Sequence, residues 1–114
     1  MRILVCGSRN SADAQYIFAT LDWYHLLHPI TRLIHGGATG VDTVGGAWAA
    51  SRSIPVSVYH AAWPQHGRKA GPMRNEKMLT HGKPDLIVAF AGGRGTADML
   101  RRAARHNIPI VRQP

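Results

Sequence analysis

Short apolar runs that end in glycine alternate along the chain with longer stretches whose apolar residues recur at helical spacing. The first run, Arg2–Cys6, closes in Gly7-Ser8-Arg9-Asn10-Ser11. The spacing then predicts a helix over about 12–27, capped by Ser11, with Ala14, Ile17, Phe18, Leu21 and Tyr24 on its inner face. Pro29 ends that helix. Thr31–His35 is a second strand, closed by Gly36-Gly37-Ala38-Thr39-Gly40, and a helix over about 41–52 follows with Val44, Ala47 and Trp48 inward. Pro55–Tyr59 is a third strand. Residues 60–72 read as a long irregular loop, and a helix over about 73–81 follows, with Pro72 in its first turn and Gly82 at its end. Asp85–Phe90 is a fourth, nearly all-apolar strand, closed by Gly92-Gly93-Arg94-Gly95-Thr96. A last helix over about 96–106 turns Ala97, Leu100, Ala103 and Ala104 inward and Arg101, Arg102 and Arg105 outward, before a fifth strand at Ile108–Arg112.

Five strands alternating with helices predict one α/β domain over residues 1–114 with a parallel sheet, its third and fourth strands buried on both faces. In such sheets ligands bind beyond the carboxyl ends of the strands, where the strand order reverses. Three glycine loops fall at those ends. Glycine lets backbone N–H groups approach a phosphate, and a helix N-terminus adds partial positive charge. Gly7, Ser8 and Arg9, then Gly36, Gly37 and Thr39, then Gly92, Gly93, Arg94, Gly95 and Thr96 are therefore candidate ligand-binding residues. The P-loop Gly-Lys-Ser/Thr is absent, and Gly93-x-Gly95 lacks the third glycine of the dinucleotide fingerprint.

Charge sharpens this picture. Fourteen Lys and Arg against six Asp and Glu give a formal +8, and eleven of the fourteen are arginine. The partner is expected to be anionic: a nucleotide, a phosphorylated metabolite or, weakly and without sequence preference, nucleic acid. Arg68-Lys69-Ala70-Gly71-Pro72-Met73-Arg74-Asn75 places three cations within seven residues. Arg74, at a helix start, suits forked phosphate recognition, and Asn75 can donate and accept. Trp63, in the long loop, suits either stacking on a base or packing. Asp42 and Asp98 each sit near a helix start, as caps or as catalytic carboxyls. His25 and His28 sit three apart without a recognisable metal-ligand cluster around them, so no metal is expected, and no cofactor. The single Cys6 ends an apolar strand and reads as buried and inert. No apolar run is long enough to cross a membrane, which with the absence of a signal-like segment gives a cytoplasmic reading. So small a sheet leaves one side thinly covered in a monomer, which points to a homodimer.

The combination of Gly7-Ser8-Arg9, Gly36-Gly37-Ala38-Thr39-Gly40-Val41-Asp42, Ala70–Met78 and Ala89–Met99 resembles the YspA-like branch of the SLOG superfamily across nearly the whole chain. That superfamily is a Rossmann-like group that binds nucleotides or nucleotide-derived ligands. It includes the LOG phosphoribohydrolases and, more distantly, the DNA-processing protein DprA. The resemblance implies a three-layer sandwich with strand order 3-2-1-4-5, which puts Gly7-Ser8-Arg9 and Gly92–Thr96 on two sides of one crevice. Arg74-Asn75-Glu76-Lys77-Met78 matches the LOG Arg-Lys-x-x-Met motif with Asn75 for its lysine. Gly92–Thr96 matches the core of the LOG glycine motif, with Ala91 for its proline. Met99 occupies the position of the catalytic glutamate, and Asp98 lies one residue earlier, about 100° around the helix. Retained Arg74 with an altered acid position favours nucleotide binding or sensing. Two alternatives remain: cleavage of the N-glycosidic bond of a nucleoside 5′-monophosphate by Arg74 with Asp98 or Asp42, and binding of single-stranded nucleic acid.

Overall fold

The computed structural model describes residues Met1–Pro114. Strands β1 (Arg2–Cys6), β2 (Arg32–His35), β3 (Val56–Val58), β4 (Leu86–Ala89) and β5 (Ile110–Arg112) form one all-parallel sheet in the order β3-β2-β1-β4-β5. Helices α1 (Ala14–Leu27), α2 (Val41–Ser51), α3 (Trp63–His66), α4 (Ala70–Thr80) and α5 (Arg94–Arg105) connect them, with a 3₁₀ turn at Gly67–Lys69.

Side chains alternate across a strand, so β1 feeds two cores. Ile3 and Val5 pack with Ile17 and Leu21 of α1 and Val41 and Trp48 of α2. Leu4 and Cys6 pack with Met78 and Leu79 of α4 and Met99 and Ala103 of α5. The layers are helix, sheet, helix, as expected. Two helices cover each face, so the thinly covered side invoked for a dimer is not there. The large apolar side chains left exposed on α1 are Trp23, Leu26 and Leu27. Trp48 is fully buried, and its indole N–H donates to Asp22 Oδ1 at 2.8 Å, which ties α2 to α1.

Several local expectations give way. Asp13, not Ser11, caps α1: its carboxylate accepts from the Tyr16 N–H at 3.1 Å. Ser11 instead donates its N–H to Ser8 Oγ, which winds residues 8–11 into a turn ahead of the helix. Ala14 and Ala47 are exposed, because larger neighbours one turn away set the rotation of each helix. The same effect turns α5. Met99 and Ala103 are buried, whereas Ala97 and Ala104 face out, since alanine carries too little apolar area to fix the phase. Arg102 turns toward α4 rather than outward. β3 is a short edge strand and is not buried on both faces; its Val58 is exposed. The expected loop over 60–72 contains α3 and the 3₁₀ turn, and α4 already begins at Ala70, which moves Arg74 to the second turn.

Candidate functional site

β1 and β4 are neighbours whose helices leave on opposite faces, so their carboxyl ends part into a crevice. Its volume is about 530 Å³. The floor is made by Val5, Cys6, Met78 and Met99. Gly7–Asn10 form one wall, Gly93–Thr96 the opposite one, and Gly71, Pro72, Arg74 and Asn75 of α4 the third, with Trp63 and Arg68 beside it. The two glycine loops touch: the Ser8 N–H donates to Ala91 O at 2.8 Å, and a side chain at Gly92 would collide with Thr96 and with the Gly7 carbonyl carbon. Gly7 is itself wedged between Val41 and Phe90. Ser8 Oγ accepts from the Asn10 and Ser11 N–H groups at 3.1 and 3.0 Å, which leaves its own proton to donate. No side chain caps α5, so the first amides of that helix point at the crevice with no intrahelical acceptor. Arg9, Arg68 and Arg94 line the crevice and form no salt bridge within the chain. Free amides, a hydroxyl donor and unpaired guanidinium groups form donor equipment for an anion.

Arg74 and Asp98 are held across the crevice by Asn75, which is buried. Arg74 Nε donates to Asn75 Oδ1 at 3.0 Å, and Asn75 Nδ2 donates to Asp98 Oδ2 at 3.0 Å and to Gly95 O at 3.2 Å. Arg74 Nη1 also donates to Gly36 O at 2.6 Å. Behind Asp98, Arg102 donates to its Oδ2 at 2.9 Å and to Glu76 Oε1 at 3.2 Å, and His106 donates to Glu76 Oε2 at 2.6 Å. Partial burial pushes the Asp98 carboxyl up, but the hydrogen bonds from Asn75 and Arg102 outweigh it and hold it below the usual carboxylate range. Asp98 is thus an ionised anchor for the donors around it.

Asp42 lines the same crevice with its pKa displaced in the other direction. It is buried, and burial raises its carboxyl above the usual range. Hydrogen bonds from the Ala38 and Gly36 N–H groups at 3.2 and 3.1 Å, and the nearby His35 and Arg74, offset only part of that. His35 is also buried, which lowers its pKa despite Asp42, and its Nδ1 accepts from the Gly37 N–H at 2.9 Å. Burial, with Asp42 adding to it, pushes the Cys6 thiol up to about 12, so Cys6 stays protonated and unreactive as expected.

Two comparisons with known proteins bear on this arrangement. The profile of the YspA, cpYpsA-related SLOG family matches residues 1–66, from β1 through α3. The chain belongs to that family. Among its relatives is the Gene 61 protein of Mycobacterium phage D29, 33% identical over 118 residues that span 96% of this chain and 94% of the relative. Family membership carries a nucleotide-related binding role at a coarse level.

In this SLOG protein the predicted residues divide. Gly7, Ser8, Arg9, Arg74, Asn75, Gly93, Arg94, Gly95, Thr96, Asp42 and Asp98 all line one crevice. Gly92 supports it from behind. Gly36, Gly37 and Thr39 do not line it: Gly36 meets Arg74, Gly37 meets His60, and Thr39 Oγ1 donates to Arg9 O at 2.6 Å. Met99 is buried in the floor, while Asp98 reaches the wall. Asn10, Arg68 and Met78 also line the crevice and were not among the candidate ligand-binding residues. The signal for Met78 was the helical spacing Gly71, Arg74, Asn75, Met78, which becomes visible once α4 is started at Ala70.

Proposed function

We propose that the chain binds a nucleotide or phosphorylated nucleoside derivative in the crevice between β1 and β4, with the phosphate against the α5 amides. The observation that carries this reading is the convergence of four arginines, 9, 68, 74 and 94, and the uncapped start of α5 on one cavity. A ligand that binds only the folded state raises the melting temperature with the logarithm of its concentration. A thermal-shift screen of nucleoside mono-, di- and triphosphates and ADP-ribose derivatives, followed by a co-crystal structure, tests it. The expected result is a ligand whose phosphate lies within hydrogen-bond distance of the Gly93–Thr96 amides. Tight binding at another edge of the sheet would refute it.

A second reading, cleavage of the N-glycosidic bond of a nucleoside 5′-monophosphate, is favoured by one observation. Asp42 and Asp98 line the same crevice with their carboxyls displaced in opposite directions, the condition for one acid and one ionised stabiliser. Incubation with each ribonucleoside 5′-monophosphate, with assay of free base and ribose 5-phosphate, decides between binding and hydrolysis. Single-stranded nucleic acid is expected to bind weakly and to be displaced by salt. Sub-micromolar affinity at physiological salt would promote that reading.

A further inference from the structure

Trp63 is the one aromatic side chain in the lining of the crevice. The polar lining of amides, hydroxyls and guanidinium groups supplies donors for phosphate and hydroxyl oxygens. Trp63 sits at the start of α3, where Pro64 fixes the first turn. Its indole lies against α4 at Gly71: a Cβ there would stand 3.1 Å from Cη2. Gly71 thus lets the ring approach the helix backbone. Trp63 is nevertheless 47% exposed, whereas Trp48, the core tryptophan, is 0% exposed. A ring held along one edge and left half-open to the crevice is a platform rather than a core residue. Arg68, five residues on in the same segment, adds a guanidinium plane that can stack on a heterocycle.

We propose that Trp63 is the base-stacking wall of this crevice, and that the ligand is therefore a nucleotide carrying its heterocyclic base rather than a bare sugar phosphate. The proposal rests on the nucleotide reading above and names the ligand class within it. Every base has a π-face, so Trp63 favours bases over no base and discriminates little among them.

Calorimetric titration of the wild-type protein, Trp63→Ala and Trp63→Phe with the four ribonucleoside 5′-monophosphates and with ribose 5-phosphate tests this. Trp63→Ala should weaken the mononucleotides by about 5- to 150-fold, the range for loss of one base–aromatic stack, and leave ribose 5-phosphate unchanged. Trp63→Phe should retain most of the affinity. Indole fluorescence should be quenched by mononucleotides in the wild-type protein and not in Trp63→Phe, since Trp23 and Trp48 lie outside the crevice. Equal weakening of both ligand types, or of neither, overturns the proposal. If the wild-type protein binds ribose 5-phosphate as tightly as the mononucleotides, Trp63 is no platform and the phosphate site stands. If it binds neither, the crevice reading fails and this one with it.

Discussion

The loops after β1, β2 and β4 each place glycine just beyond the end of a buried parallel strand and lead into a helix. Those after β2 and β4 carry three glycines apiece, counting Gly95 in the first turn of α5. They have opposite fates. After β1 and β4, Ser8 keeps a free proton, α5 keeps its first amides uncapped, and Arg9 and Arg94 keep no salt bridge. After β2 no side chain caps α2 either, but several of the loop's donors and acceptors are taken by the protein itself, and the first α2 amide, that of Val41, donates to Ser8 O at 2.9 Å. Asp42 takes the Gly36 and Ala38 amides, His35 takes the Gly37 amide, Arg74 takes the Gly36 carbonyl, and Thr39 holds Arg9 O. Glycine content marks where backbone can approach something closely. Whether that partner is a ligand or the chain is decided by what else the fold brings near, and β2 lies one strand away from the switch point.

The largest expected effect breaks the β2 loop. Gly40 has φ +75° and ψ −127°, a combination open essentially to glycine, and a Cβ there would run into Ser8 O and lie 2.8 Å from the Arg9 backbone. Gly40→Ala should cost about 3 kcal/mol or more and lower the melting temperature by roughly 10 °C or more. A melting temperature within about 2 °C of wild type would show that this loop is not rigidly packed against Ser8 and Arg9.

Arg74 belongs to both regions, lining the crevice while it holds Gly36 O. Arg74→Ala should therefore weaken nucleotide binding by about ten- to a hundred-and-fifty-fold, as for a lost charge-assisted hydrogen bond, and also lower the melting temperature of the free protein. Arg74→Lys should recover part of the affinity, since an ammonium cannot make the forked contact. Arg101, largely exposed and 3.7 Å from Asp98 Oδ1, is the control, and Arg101→Ala should change affinity little. Equal losses at Arg74 and Arg101 would mean that net charge, not a site, drives binding.

Gly95 reports on the crevice alone. Nothing lies within 4 Å of a Cβ built there, and the residue is helical, so Gly95→Ala should stabilise the free protein by about 0.5–1 kcal/mol. The same methyl projects where the phosphate would approach the α5 amides, so affinity should fall while stability rises. Gains in both would move the phosphate away from α5.

The layers and the crevice were legible because they depend on period and punctuation. Alternating strands, glycine at strand ends and one helical face in α4 survive any detail of packing. What stayed hidden was set by contacts distant in sequence. The closure of the β2 loop needs Arg74, 38 residues away from Gly36, and no local pattern announces it. The phase of α5 departs from its apolar spacing because alanines count as apolar while carrying little area, so Met99 decides the rotation. Asp13 rather than Ser11 caps α1 because residues 8–11 are wound into their own turn and the Asp13 carboxylate is the one that reaches the Tyr16 amide; two capping residues two apart are not told apart by spacing.

The smallest effect compares the two carboxyls, one from each region. Asp42 follows the closed β2 loop, and its folded-state pKa is raised above the ordinary 3.8 by burial. The folded protein thus holds that proton harder than the unfolded chain. The stability this gives is complete below pH 3.8 and is lost as pH rises through the raised value. Asp98 lies on the open side, and its pKa is lowered because the hydrogen bonds from Asn75 and Arg102 outweigh partial burial. Its stabilising contribution is present above 3.8 and is lost as pH falls through the lowered value. Asparagine abolishes either titration while keeping the side-chain shape. Across pH 3 to 7, the melting temperature of Asp42→Asn relative to wild type should rise with pH, and that of Asp98→Asn should fall. His35, whose pKa is lowered chiefly by burial, destabilises the fold as pH falls below its ordinary 6.5, and this cancels from the Asp98→Asn difference; in Asp42→Asn the lost carboxylate lowers the His35 pKa further, which adds to the rise with pH. Slopes of the same sign would mean that the two carboxyls share one environment, and the contrast between the closed loop and the open crevice would not hold at its closest point.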